Sequence, residues 1–220
     1  LGNRSNASSE IELEGATAWL VGEEGKGVRT IIEMVNHTCL DCIIGSASLM
    51  RQAVVQATHH AAHRSAFGRL LIDQPLMLNV LADLAIESEA TTNLMMRLAG
   101  ALDRAADSEE ARFRRLALAV SKYWACKRAI PLVAEALECL GGNGYVEESI
   151  MPRLYREAPL NSIWEGSGNA NALDVLRAME REPESVTAFV AEVEAARGAD
   201  KRLDRSVVEL KKELSTGAAV

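Results

Sequence analysis

The chain has 220 residues, 48% of them hydrophobic, and a formal net charge of −7 at pH 7. That content supplies a substantial core, but no apolar run approaches the ~20 residues that span a bilayer, so we expect no membrane insertion. Negative charge and only 4% aromatic residues argue against a general nucleic-acid surface, which needs a basic face. The four cysteines do not resemble a disulfide framework, and they suit a reducing, cytoplasmic compartment.

The first segment, residues 1–27, has the pattern of strands. Ile11 and Leu13 alternate with glutamates, and a second apolar run from Ala18 ends at Gly22. Two strands alone are only marginally stable. We therefore predict that this segment is the tail of an incomplete β domain.

A helical period begins at Val28. Apolar residues recur on one side of a predicted helix that ends near Ser65. A second helix begins at Pro75, since proline favours the first turn. Its apolar stripe continues to about Leu102.

The third predicted helix is capped by Asp107 or Ser108 and stops at Gly141. Pro131 lies inside it and predicts a kink, because proline removes a backbone donor. A fourth helix begins near Asn169.

Long antiparallel helices joined by short polar loops predict an all-α fold, an up-and-down four-helix bundle. The bundle occupies residues 28–180 and follows the short β remnant of residues 1–27. Residues 181–220 are predicted to form a C-terminal helical extension, with one short helix from Pro183 and another over 202–214.

Two pairs of side chains have the spacing of redox or metal sites but lack the remainder of a site. Cys39 and Cys42 form a C-x-x-C on a helix, whereas thioredoxin-like pairs follow a strand. His59 and His63 share a helix face, but neither belongs to an H-E-x-x-H pattern. We predict no metal site.

One carboxylate, Glu165, lies in a Gly-rich loop between two helical segments. Trp164 before it can shield it from water, and Gly166 after it lets a ligand approach the backbone. Glycines at 141–144 and 166–168 leave backbone N–H groups available to a large polar ligand. Two interpretations stay open from the residues alone: Glu165 is a base, or it is a solvated residue beside a helix stop.

Three motifs occur in an order and at spacings that identify a family. They are Arg64-Ser-Ala-Phe67-Gly68 followed by Gln74, then Glu138-Cys-Leu-Gly141-Gly142-Asn-Gly144-Tyr145, then Trp164-Glu165-Gly166-Ser167-Gly168-Asn169. Together they resemble the C-terminal helical domain of the acyl-CoA dehydrogenases, which are FAD-dependent flavoenzymes. The resemblance covers most of residues 15–180.

The resemblance implies a reaction and a base. In this family a Glu removes the α-proton of an acyl-CoA thioester while a hydride leaves the β-carbon for the flavin. Glu165 matches that Glu. A minority of members carry the base on the first bundle helix, where this chain has Thr38, which cannot act as a base.

The resemblance also implies an FAD site shared between subunits of a homodimer or homotetramer. Arg64 and Phe67 match residues that hold the FAD pyrophosphate and adenine side across the subunit interface. Further FAD contacts are matched by Gln74, Glu138, Gly141, Gly142, Ser167 and Asn169. Taken singly, each of these residues also fits a structural role, such as a helix cap, a core side chain or a solvated helix position.

Two features complicate the family interpretation. Cys39 stands where many members have an Arg, which removes a charge from the acyl-CoA pocket. The wording of residues 153–169 is closest to the alkylation-response (AidB-like) branch, whose members keep the flavin and the Glu and are associated with DNA binding. Residues 177–220 show no basic face. Three alternatives remain: an acyl-CoA dehydrogenase, a DNA-binding flavoprotein, or a helical oligomerisation module without catalysis.

Overall fold

The computed structural model describes residues 9–217, and the fold in that range is almost entirely helical. The helices are α1 (Gly27–His63), α2 (Pro75–Asp103), α3 (Ser108–Cys139), α4 (Gly142–Tyr145), α5 (Met151–Glu157), α6 (Gly168–Arg181), α7 (Pro183–Glu194) and α8 (Lys201–Gly217). Two-residue strands β1 (Ser65–Ala66) and β2 (Arg69–Leu70) form a hairpin between α1 and α2, and short 3-10 turns occur at Leu71–Asp73 and Leu160–Ser162. The all-α prediction is confirmed.

The limits of the long helices follow from local signals in the sequence. Pro75 is the first residue of α2, and the Asp107 side chain caps α3 by accepting a 2.9 Å hydrogen bond from the Glu109 N–H. Pro131 lies inside α3 without ending it, because its neighbours Leu132 and Val133 are anchored in the core. The predicted starts and ends of these helices are confirmed.

The core lies between α1, α2 and α3, and α3 is its central member. Small residues such as Ala57 and Ala136 are fully buried there, which allows the helix backbones to approach closely. α6 packs against the other side of α3. α7 packs there too, through Phe189, whose ring stacks on that of Phe113 with 6.4 Å between centroids.

The strand prediction for the first segment is wrong among the described residues. Residues 10–21 form no strand, and side chains such as Leu13 and Trp19 are exposed, the latter by 84%. A strand requires a hydrogen-bonded neighbour, and the one sheet that the described residues form is the β1–β2 hairpin. Residues 1–8 lie outside the described range, so the assignment of 1–27 to a β domain stays a prediction.

Over residues 9–217, none of the helices combines the length and the apolarity that crossing a bilayer requires.

The N-terminal cap of α3 gives a test of the fold. Asp107→Ala removes the acceptor for the Glu109 N–H, and we expect the free energy of unfolding to fall by about 1 kcal/mol in urea titrations. Asp103→Ala is the matched control, because this exposed carboxylate ends α2, where a negative charge is not favoured by the helix dipole. Equal losses in the two variants would contradict the capping role.

Candidate active site around Glu165

Glu165 lies in the loop between the 3-10 turn Leu160–Ser162 and α6, and its backbone has a left-handed conformation. Its φ is 55°, whereas the usual residue with such a value is glycine. This conformation costs a non-glycine residue about 1–2 kcal/mol, so the surrounding structure has to hold it. The Glu165 side chain is half-buried.

A buried lysine from α3 holds the backbone on both sides of Glu165. Lys122 is 1% exposed, and its Nζ lies 2.6 Å from the Trp164 carbonyl oxygen. The same ammonium donates to the Gly166 carbonyl oxygen. Hydrogen bonds from a charged donor are among the stronger ones in proteins, so this contact constrains the loop firmly.

Side chains from α1 and α6 complete the set of donors to the loop. The Cys39 thiol donates to the Glu165 carbonyl oxygen at 3.3 Å. The buried Asn171 amide donates to the carbonyl oxygens of Gly166 and Ser167 at 2.9 and 3.0 Å. Four successive carbonyls, from 164 to 167, therefore have side-chain donors. The thiol at position 39 supports the loop even though it carries no positive charge.

The Trp164 ring is held by a separate chain of hydrogen bonds. Its Nε1 donates to Asn161 Oδ1 at 3.2 Å, and Asn161 Nδ2 donates to Ser46 Oγ at 3.2 Å. Ser46 Oγ in turn donates to Cys126 Sγ at 3.4 Å. Trp164 is 39% exposed and lines one cavity with Glu165, and its predicted shielding of that carboxylate stays a prediction.

Glu165 contributes to a cavity of about 230 Å³ beside α1. Its lining residues are Thr38, Asp41, Cys42, Asn161, Trp164 and Glu165. Thr38 Oγ1 donates to the Val35 carbonyl oxygen at 3.0 Å, as a helix-bound hydroxyl does, which agrees with its exclusion as a base. Asp41 is a second carboxylate on the same cavity, and sequence analysis missed it.

A second cavity, of about 320 Å³, lies between α1, α3 and α6 and is lined by three arginines. Arg115 is bidentate to Asp174, at 2.9 and 3.1 Å, whereas Arg114 makes no ion pair within residues 9–217. Arg177 contributes the third guanidinium, 3.7 Å from Asp174, and Arg115 also pairs with Glu182 at 2.8 Å. Cys39 lines this cavity as well, so the cavity adjoins the Glu165 loop. The adjacent Arg-Arg pair on α3 was the sequence signal for this pocket.

Three predicted cofactor residues lie at the β1–β2 hairpin, at one end of the bundle. Arg64 directly follows α1, is exposed, and makes no ion pair in the described part of the chain. Phe67 is at the tip of the hairpin and is 97% exposed, with a φ of 53°. Gln74 Nε2 donates to the Ala66 carbonyl oxygen at 3.2 Å, which braces the hairpin.

The second group of predicted cofactor residues lies where α3 ends, at the same end of the bundle. Glu138 is exposed in the last turn of α3, Gly141 follows with a φ of 59°, and Gly142 begins α4. Glu138 also lines a cavity of about 790 Å³ with Tyr145 and Tyr155.

The remaining two predicted cofactor residues lie beside Glu165. Ser167 precedes the first residue of α6, and Asn169 is exposed in its first turn. The structure therefore separates the predicted residues into a bundle-end group and a loop group. Among the cavities described over residues 9–217, none contains residues of both groups.

Two kinds of titratable side chain bear on metal and redox chemistry. Within residues 9–217, no group of three or more His, Cys, Asp or Glu side chains could hold a metal ion. Burial raises the pKa of the Cys42 thiol to about 12, and that of the Cys139 thiol to about 11. Burial also raises the pKa of the Cys39 thiol, whereas a redox C-x-x-C needs a lowered pKa, so the pair at 39 and 42 lacks that feature.

Sequence comparison places the chain in a family. Residues 25–180 match the sequence model of "Acyl-CoA dehydrogenase, C-terminal domain". The chain is 49% identical over 214 residues to the putative acyl-CoA dehydrogenase AidB of Escherichia coli K12, covering 97% of this chain and 40% of that protein. It is 33% identical over 220 residues to acyl-CoA dehydrogenase family member 11 of Caenorhabditis elegans, covering 98% of this chain and 36% of the relative.

Comparison with solved structures agrees with the sequence comparison. The C. elegans ACDH-11 structure in complex with C11-CoA gives a TM-score of 0.77 at 32% identity, over 90% of this chain and 34% of that one. A structure named Bd2924 apo-form gives a TM-score of 0.80 at 29% identity, over 88% of this chain and 38% of that one. The chain belongs to the acyl-CoA dehydrogenase family and corresponds to its C-terminal helical domain. It spans about two fifths of the length of the curated relatives.

The thiols provide a test at this site. Because a pKa of about 12 leaves roughly a thousandth of the thiolate of an ordinary cysteine, iodoacetamide at pH 8 should label Cys42 extremely slowly in the folded chain. Labelling in urea should reach all four cysteines, which controls for reagent activity. Rapid native labelling of Cys39 or Cys42, read by mass spectrometry, would contradict their structural role.

Proposed function

We propose that the chain supplies the catalytic base of an FAD-dependent acyl-CoA dehydrogenase, with Glu165 as that base. The observation that carries the proposal is the position of Glu165, held half-buried in a left-handed backbone at the edge of a cavity. A carboxylate in this setting is suited to take the α-proton of a thioester, while a hydride leaves the β-carbon. Membership of the acyl-CoA dehydrogenase family supports the same chemistry.

Electrostatics support an acyl-CoA thioester as the substrate class. The phosphate groups of coenzyme A need cationic partners, and guanidinium groups bind them in a bidentate manner. Arg114, Arg115 and Arg177 line the second cavity together with Cys39, but Arg115 and Arg177 are already paired with acidic side chains. We propose that Arg114, which makes no ion pair within residues 9–217, takes over the charge that Cys39 lacks. The C. elegans relative was solved with C11-CoA.

Residues at both predicted groups fit FAD. Arg64 is an exposed guanidinium with no ion pair among the described residues, which suits a pyrophosphate, and Phe67 offers an exposed aromatic ring. FAD, when bound, supplies the hydride acceptor. We propose that the remaining FAD contacts are made by Gln74, Glu138, Gly141, Gly142, Ser167 and Asn169. Because the groups lie apart, we propose that one group serves the cofactor of a partner subunit in a homodimer or homotetramer.

The two alternatives receive less support. A DNA-binding flavoprotein would need a basic face, yet Lys211 pairs with Glu194 at 2.8 Å and Arg202 pairs with Asp200 at 3.0 Å. A helical oligomerisation module without catalysis would not need the donors around Glu165. The absence of a flavin absorbance band from the purified full-length protein would favour that module.

Arg64 gives a test of the cofactor assignment. Arg64→Ala, made in the full reading frame that contains this chain, should lose FAD on dialysis while helical content by circular dichroism stays unchanged, because alanine cannot bind a pyrophosphate. Arg69→Ala is the matched control, since Arg69 is exposed on the same hairpin and has no proposed ligand. Full flavin occupancy in Arg64→Ala would refute the role.

A second test concerns the base. Glu165→Gln keeps the shape of the side chain but removes its basicity, so turnover of C11-CoA should fall by roughly 10²–10⁴-fold at unchanged flavin content. Asp41→Asn tests the other carboxylate on the cavity and should cost far less. Full activity of a flavin-loaded Glu165→Gln protein, or an equal loss in Asp41→Asn, would contradict the assignment.

A further inference from the structure

The backbone at Glu165 is held by a side chain that takes no part in the chemistry proposed above. We propose that Lys122 is a positioning residue for Glu165, whose ammonium fixes the loop by binding the carbonyls on both sides of that residue. This inference rests on the proposed function, because it takes Glu165 as the base.

The geometry is that of a clamp with one cation and two acceptors. Lys122 Nζ lies 2.6 Å from the Trp164 carbonyl oxygen and donates to the Gly166 carbonyl oxygen as well. Because these acceptors flank Glu165, the ammonium restrains the rotation of the chain before and after it. Without that restraint, the Cys39 and Asn171 donors alone would hold the loop, which leaves the backbone at Glu165 freer to depart from its φ of 55° and the carboxylate freer to leave its cavity.

A lysine that only packed α3 against the loop would have no need of its charge. A buried charge is costly, and an apolar residue of similar volume often serves packing equally well. Lys122 is 1% exposed and makes no ion pair within the part of the chain that the structure describes. Its partners are carbonyls of the one loop that carries Glu165. The loop therefore explains the charge better than the core does.

Lys122 lies in a packed part of α3. It lies on α3 among the buried residues Ser121, Ala125 and Cys126. Gly168, the first residue of α6, approaches α3 so closely that an added Cβ would lie 2.9 Å from Tyr123 Cε2. The start of α6, which follows the loop, is thus packed closely against α3 as well.

The test uses the full reading frame that contains this chain, loaded with flavin, with C11-CoA and an artificial electron acceptor. Lys122→Met keeps the length of the side chain without any donor. We expect kcat to fall about 10- to 100-fold while KM for C11-CoA changes less than about threefold. Lys122→Gln, which retains an amide donor, should give an intermediate kcat.

Lys127→Met is the matched control, because Lys127 is an exposed lysine on the same helix with no hydrogen bond among the described residues. It should keep the parent kcat. In a Glu165→Gln background, Lys122→Met should add no further loss, since it acts through Glu165. A merely structural lysine would lower kcat equally in both backgrounds.

Parent kcat in Lys122→Met, or an equal loss in the Glu165→Gln background, overturns the inference while leaving Glu165 as the base. Full turnover in Glu165→Gln overturns the base assignment and this inference together. If Lys122→Met does not fold, Lys122→Gln carries the same measurements, and parent kcat in that variant would overturn the inference.

Discussion

The loop around Glu165 depends on hydrogen bonds to backbone carbonyls that regular secondary structure leaves free. A helix or a sheet would satisfy the carbonyls at 164, 165 and 166, but this loop has neither. Their partners come from three helices: Lys122 on α3, Cys39 on α1 and Asn171 on α6. The requirement that buried carbonyls be satisfied therefore ties the position of the candidate base to the relative placement of the bundle helices.

α3 is the helix that connects the Glu165 loop to the rest of the bundle. It packs against α1, α2, α6 and α7, and it carries Lys122 and two of the three arginines of the second cavity, Arg114 and Arg115. Small buried residues, such as Ala129 and Ala136, keep its neighbours close. A shift of α3 would thus move the loop and the basic cavity together, which makes the rigidity of this helix part of the site.

The sequence predicts what depends on local chemistry and misses what depends on distant contacts. The helix limits could be predicted because Pro75, Asp107 and Gly141 act within a few residues of their own positions. The clamp could not, since 42 residues separate Lys122 from Trp164, although a lysine among apolar neighbours was a usable signal. The prediction of two strands within residues 1–27 failed because the alternation of apolar and polar residues is a local pattern, whereas a strand requires a neighbouring strand to pair with.

The backbone conformation and the exposure of Phe67 together bear on how this chain folds. Its φ of 53° is unfavourable for a residue with a Cβ, and its ring, 97% exposed, gains almost no burial in return. A glycine there would relieve the backbone at no loss of packing within the described residues. Phe67 is thus a point of local frustration, where the chain retains a residue that opposes its own folding. Within residues 9–217, no packing of the ring offsets that cost.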